Sequence, residues 1–296
     1  MKKILVSLVS MACIALSVSA QQTVSLEGAD ETVRLWDNTT AQFSNYQTRD
    51  EQFRKGKKNS MQYTSSCELY IFKAEPSKAS GIAVAIYPGG AYQSLGFDVN
   101  LAKWYASQGV TAALVKYRLP NGHKEAMLED AVGAVRYLRT RTDLGIDPAK
   151  VGVSGNSAGG HLAAWVSNIM AEEEKPAFAI LHYPAIDRTS PYYYKALPNN
   201  TNVLGANFSL QEAKDMSAQN MVSATTPPTL LMLCDDDTVV PPTSPVSYYK
   251  ALINYGVKAA IHIYPEGGHS LKKHIEERNC AILDWLDYLK LQSITK

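Results

Sequence analysis

Apolar positions along the chain switch between two patterns. Short apolar runs at 68–73, 82–87, 110–117, 151–154, 178–182, 230–234 and 259–264 end at Gly, Pro or polar residues and predict strands. Between them, longer stretches at 99–107, 125–141, 158–170, 244–255 and 275–291 suit helices. The clearest is 125–141, where Met127, Leu128, Ala131, Val135 and Leu138 recur at helical spacing, and Gly256 marks the stop of 244–255. Continuous apolar strands alternating with helices predict an α/β architecture, a mostly parallel twisted sheet with helices on both faces.

The rhythm is absent in three places. Residues 1–20 carry Lys2-Lys3, an uncharged and mostly apolar stretch over 4–18, and small residues at Val18-Ser19-Ala20. That is the pattern of a signal peptide cut before Gln21, which predicts export to the periplasm or the outside medium. The stretch is short for a membrane anchor, and no stable membrane association is expected. Residues 21–66 are polar and weakly periodic and read as an N-terminal arm draped over the main domain at 67–296. Residues 187–221 bring Pro, Asn and Tyr where an apolar period should continue, as lid or substrate-binding insertions do.

Composition narrows the functions available. A formal charge of +1 argues against a nucleic-acid partner, which needs a basic stripe. The cationic run Arg54-Lys55-Gly56-Lys57-Lys58 reads as a solvated loop. Without Cys13, the leader's cysteine, three remain: Cys67, Cys234 and Cys280. An odd count excludes a disulfide framework, although one pair could form, and the spacing has no metal-ligand pattern. No metal or organic cofactor is implied.

In a parallel sheet the C-terminal strand ends share one edge, so position there carries more information than residue type. Gly155-Asn156-Ser157-Ala158-Gly159 fits G-x-S-x-G at a strand-to-helix junction, which makes Ser157 the candidate nucleophile. Among six histidines, His269 stands in the flexible loop Pro265-Glu266-Gly267-Gly268-His269 after the last strand. His161 is one turn deeper on the serine's own helix, and His182 ends a strand where a packed histidine is expected. Asp235, Asp236 and Asp237 follow the penultimate strand, and Asp237, three before Val240-Pro241, is the preferred acid, with Asp187 a lesser alternative. The order serine, acid, histidine is the one α/β-hydrolases use. Tyr87-Pro88-Gly89-Gly90-Ala91-Tyr92 could form an oxyanion hole, with Gly90, Ala91 and Ala158 as backbone donors.

These segments resemble the acetyl-xylan-esterase-like group of α/β-hydrolases. Pro88-Gly89-Gly90-Ala91-Tyr92 is similar to that group's P-G-G-G-Y motif, with Ala91 in place of the third glycine. Lys116-Tyr117-Arg118-Leu119-Pro120 and Leu128-Glu129-Asp130-Ala131 resemble its next signature. Ser157-Ala158-Gly159-Gly160-His161-Leu162, Asp237-Thr238-Val239-Val240-Pro241 and Gly267-Gly268-His269 match its elbow, acid and base. Ser270-Leu271-Lys272 departs from the usual G-F-G-L type run. The resemblance implies an esterase acting on short acyl groups, acetyl above all, of plant polysaccharide such as xylan, or on a small-molecule or oligosaccharide ester. A serine peptidase of prolyl-peptidase type shares the triad order, and a non-catalytic glycan-binding domain is the remaining alternative. Tyr92, Tyr192, Tyr193 and Tyr194 could stack on sugars or pack.

Overall fold

The computed structural model describes residues 26–190 and 198–291. The predicted leader and Tyr192, Tyr193 and Tyr194 lie outside the described residues. In chain order the strands are β1 (Glu31–Asp37), β2 (Gln52–Phe53), β3 (Ser60–Gln62), β4 (Ser66–Phe72), β5 (Ala83–Tyr87), β6 (Leu95–Gly96), β7 (Thr111–Lys116), β8 (Val151–Asn156), β9 (Ala179–His182), β10 (Thr229–Cys234) and β11 (Ala259–Tyr264). The helices are α1 (Val99–Ser107), α2 (Lys124–Thr140), α3 (Ala158–Ile169), α4 (Pro198–Leu204), α5 (Leu210–Met216), α6 (Thr243–Asn254) and α7 (Ile275–Tyr288).

Eight strands form one sheet in the order β1-β4-β7-β5-β8-β9-β10-β11. From β7 to β11 every pairing is parallel, and β4 runs antiparallel to both β1 and β7. The central strands β5, β7, β8, β9 and β10 are buried along their whole length apart from Asn156, as expected for strands covered on both faces. Ile86 and Tyr87, adjacent on β5, show the two faces directly. Ile86 points into a cavity shared with α1 and α7, whereas the Tyr87 hydroxyl donates to Ala131 O of α2 at 2.8 Å. This is the α/β-hydrolase fold.

The sheet also fixes where chemistry can occur. After β5 the chain crosses to β7 on one side, and after β7 it returns to β8 on the other, so the crevice between the ends of β5 and β8 is a topological switch point. Tyr87 pairs with Gly155 there, at the last register position.

The arm's description changes on the structure. The arm is more than a drape: β1 is an edge strand of the main sheet, and β2 and β3 join β6 in a small three-stranded sheet. Within the 187–221 insertion lie α4 and α5. The Ser209 hydroxyl accepts from Glu212 N while the Glu212 carboxylate accepts from Ser209 N, a capping box that starts α5. The three cysteines are free, Cys67 and Cys234 buried and Cys280 exposed.

Candidate active site

The G-x-S-x-G turn is tight for reasons visible atom by atom. A side chain at Gly155 would put its Cβ 2.2 Å from Gly159 O, and one at Gly159 would meet Tyr87 O at 2.0 Å. Between them Ser157 adopts φ 55° and ψ −121°, a left-handed conformation that costs an L-residue roughly 1–3 kcal/mol. Neighbours hold it there. Ser157 N donates to His182 O at 3.0 Å, and Ser157 O accepts from His161 N and Ala185 N at 3.0 and 3.1 Å. The strain lifts the side chain off the sheet edge and places it at the start of α3.

His269 reaches Ser157 from the loop after β11. Its Nε2 lies 2.8 Å from Ser157 Oγ, and its Nδ1 lies 2.7 Å from Asp237 Oδ2. The second Asp237 oxygen accepts from Val239 N at 2.8 Å and Val240 N at 2.9 Å. Asp237 is thus buried with both oxygens occupied, an arrangement that fixes the imidazole's orientation and tautomer.

The neighbouring aspartates are placed differently. Asp236 accepts from Gly267 N and Gly268 N at 3.1 and 2.7 Å. Those two hydrogen bonds hold its carboxyl below the usual range and pin the loop that carries His269. Asp235 is exposed, and Asp187 Oδ1 closes a turn on Thr189. His161 and His182 are buried, and desolvation lowers both to about 3. His161 lies between the Tyr92 hydroxyl and Met216 O, at 2.6 and 2.8 Å. Tyr92 is buried and also donates to Ala158 O, so it packs and is not available to stack on a sugar.

The loop after β5 supplies the third part. Gly89 N donates to Asn156 Oδ1 at 3.2 Å, tying the loop to the elbow. Gly90 (φ 137°), Ala91 (φ 57°) and Tyr92 (φ 57°) all take positive φ, and a Cβ at Gly90 would lie 2.1 Å from Ser94 O. Gly90 and Ala91 line the same cavity as Ser157 and His269, and among the described residues no acceptor takes their N–H groups. Ala158 opens α3, where first-turn N–H groups have no intrahelical partner. From the insertion, the Asn202 side chain donates to Ala91 O at 3.2 Å and braces this loop.

The cavity measures about 430 Å³. Arg54 and Gln62 of the arm, Gln93, Ser94, Asn156, Tyr183 and Val239 complete its wall. No described residue of the 187–221 insertion does so. The sequence reading missed Arg54, Gln62 and Tyr183. Tyr183 follows β9 at the functional edge with φ 36° and sets its ring edge-on to His269, centroids 4.7 Å apart. Burial pushes its hydroxyl up to about 12. Position after a strand end was the available signal for Tyr183, whereas Arg54 and Gln62 arrive only through the tertiary fold. Ser270, Leu271 and Lys272 border a separate cavity behind Asn156 and Tyr183. A larger cavity, about 650 Å³, lies between the arm and α2 and holds none of the candidate residues.

Residues 103–292 match the prolyl oligopeptidase family. The chain belongs to that family. The match takes in Ser157, Asp237 and His269 and begins after the Gly90-Ala91 loop. Over 205 residues, 66% of this chain, it is 32% identical to the acetylxylan esterase of Xylanibacter ruminicola and spans 42% of that protein's length. It is 30% identical over 133 residues to the ethyl acetate hydrolase of Pseudomonas putida, covering 42% of each chain. The acetyl ester-xyloside bifunctional hydrolase of Caldicellulosiruptor lactoaceticus superposes with a TM-score of 0.70 at 28% identity, over 77% of this chain and 90% of that one. An esterase of Thermogutta terrifontis shares the fold, with a TM-score of 0.65 at 21% identity, over 83% of this chain and 96% of its own.

Proposed function

We propose that the protein is an exported serine carboxylic-ester hydrolase that removes acetyl or other short acyl groups from plant polysaccharide such as xylan. One observation carries the reading: the chain Asp237–His269–Ser157, at 2.7 and 2.8 Å, faces the unclaimed N–H groups of Gly90 and Ala91 across one cavity. In this mechanism Ser157 Oγ attacks the ester carbonyl as His269 Nε2 takes its proton. The carbonyl oxygen becomes an oxyanion held by the N–H groups of Gly90, Ala91 and Ala158. As the carbonyl re-forms, the C–O bond to the sugar breaks and His269 returns the proton to the departing hydroxyl. Water, deprotonated by His269, then cleaves the acyl-enzyme, and Asp237 stabilises the imidazolium in both halves.

The polar wall, with Gln62, Gln93 and Ser94, suits a hydroxyl-rich leaving group, and two relatives named for acetyl esters of xylan or xyloside support the substrate class. Family membership favours a second reading, cleavage of a peptide bond after proline. Paired assays decide: acetate release from acetylated xylan and turnover of a nitrophenyl acetate, against release from a glycyl-prolyl anilide. Ester turnover with an inert anilide is the expected result. The reverse would make the protein a peptidase.

A further inference from the structure

The cationic run that reads as a solvated loop in the sequence stands beside the catalytic cavity. Arg54, Lys55, Gly56, Lys57 and Lys58 form the turn between β2 and β3, closed by Lys57 N donating to Arg54 O at 2.8 Å. Beside the turn opens a cleft of about 440 Å³ whose wall includes Phe53, Arg54, Lys57, Lys58, Asn59 and Glu27. Arg54 lines this cleft and also the cavity of Ser157, so the two lie side by side with Arg54 between them.

We propose that this cleft is a subsite for a uronic-acid unit of the polysaccharide that carries the ester. The inference rests on the esterase reading above. Three observations lead to it. Among the described residues, none of Arg54, Lys55, Lys57 and Lys58 makes an ion pair, while Glu51, three positions before Arg54, is turned inward onto Lys116. Glu27 sets one carboxylate against three cations in the cleft wall. Phe53 is 37% exposed, which offers an apolar face to the C–H side of a sugar ring. A ring face flanked by guanidinium and ammonium groups fits a sugar bearing a carboxylate. A neutral sugar would draw no charge-assisted hydrogen bond from those cations. Nucleic acid would need the charge to extend along a stripe, yet here it is confined to one turn of a chain whose formal charge is +1.

The test is affinity electrophoresis of the full chain carrying Ser157→Ala, in gels containing glucuronoxylan or the same polymer with its carboxyls reduced to alcohols. At low salt the native polymer should bind about fivefold more tightly, and 0.3 M salt, an order-of-magnitude choice set by the screening length, should erase the difference. Adding Lys57→Gln with Lys58→Gln should lower binding of the native polymer by about three- to tenfold and leave the reduced polymer unaffected. Phe53→Ala should weaken both polymers. Equal binding of the two polymers by the parent would overturn the proposal. So would equal retardation by dextran sulfate or DNA at matched charge, which would mean unselective attraction. Acetate release by wild type from carboxyl-reduced acetylated xylan reports on the esterase reading alone, so the two failures are distinguishable.

Discussion

Among the described residues, two networks of acid and base invite comparison, one closed on itself and one left open toward a cavity. The first joins the arm to the sheet. Fully buried Arg118 donates to Asp130 at 2.7 and 3.0 Å, to Glu129 at 2.9 Å, to Ala126 O at 3.2 Å and to Phe43 O, and Trp36 Nε1 donates to the same Asp130. Beside it, Lys116 is held by Glu51 at 2.5 Å, Ser66 Oγ at 2.9 Å and Glu68 at 3.1 Å. The second network is Asp237, His269 and Ser157. Residue types are alike in kind, and both contain carboxylates taken out of water. The difference is spare capacity. In the clamp the Lys116 and Arg118 donors meet acceptors on every side, and although Trp36, Phe43 and Glu129 also border the cavity between the arm and α2, neither cation lines it. In the triad, Ser157 faces an open cavity with two N–H groups that no described residue has claimed. Saturation marks structure, and a directed shortfall of partners marks chemistry.

Substitutions should therefore separate the two regions by what they damage. Ser157→Ala has the largest expected effect, about 10⁴- to 10⁶-fold in kcat with an unchanged melting temperature, and a fluorophosphonate probe should label only the parent. Asp237→Asn should cost about 10³- to 10⁴-fold, again with little change in melting. If Asp237→Asn keeps near-normal turnover, the acid assignment is wrong. In the clamp the pattern should invert. Lys116→Met leaves Glu51 and Glu68 buried without their shared cation and should destabilise the protein by about 3–5 kcal/mol in urea melts. Residual kcat, measured on whatever fraction stays folded, should fall far less than in either triad variant.

Smaller effects sharpen the boundary. Asp236→Asn removes the charge from the hydrogen bonds that pin Gly267 and Gly268, so kcat should fall by about tenfold, whereas Asp235→Asn should stay within about twofold. An Asp235 variant weaker than the Asp236 variant would mean that the loop is held in another way. For Glu51, burial alone would raise the carboxyl, but the Lys116 charge and hydrogen bonds from Lys116, Ser65 and Ser66 outweigh it and hold the carboxyl below its ordinary value of 4.5. A depressed folded value means that its stabilisation is complete above pH 4.5 and is lost as pH falls through the folded value. Wild type should accordingly lose melting temperature more steeply below pH 4.5 than Glu51→Gln, and parallel curves would remove Glu51 from the clamp.

The sequence was readable where local pattern and function coincide. Apolar runs gave the strands of the main sheet from β4 onward, and the elbow with the serine–acid–histidine order pointed to Ser157, Asp237 and His269, which the fold brings within hydrogen-bonding reach. β1 was missed because its residues are all half-buried, so Val33 and Leu35 alternate weakly among polar neighbours. α5 was missed although its Ser209-x-x-Glu212 cap stood in the sequence. Lys116, Arg118 and Asp130 were noticed through resemblance alone. Their physical role, anchoring the arm, depends on contacts with Glu51, Trp36 and Phe43 that lie 65 to 94 positions away along the chain. The places of Arg54 and Gln62 could not be read for the same reason.

That anchoring alters what counts as the minimal enzyme. The family match starts at residue 103, and a reader of composition would cut near residue 66. Either trimming would discard the β2–β3 hairpin and with it part of the wall around Ser157, and the later cut would also take the Gly90-Ala91 loop. A protease that nicks the arm should behave as an inactivator even though every member of the triad survives on the larger fragment. The arm and the nucleophile thus form one working part, so exchanging arms between relatives should transfer substrate preference along with stability.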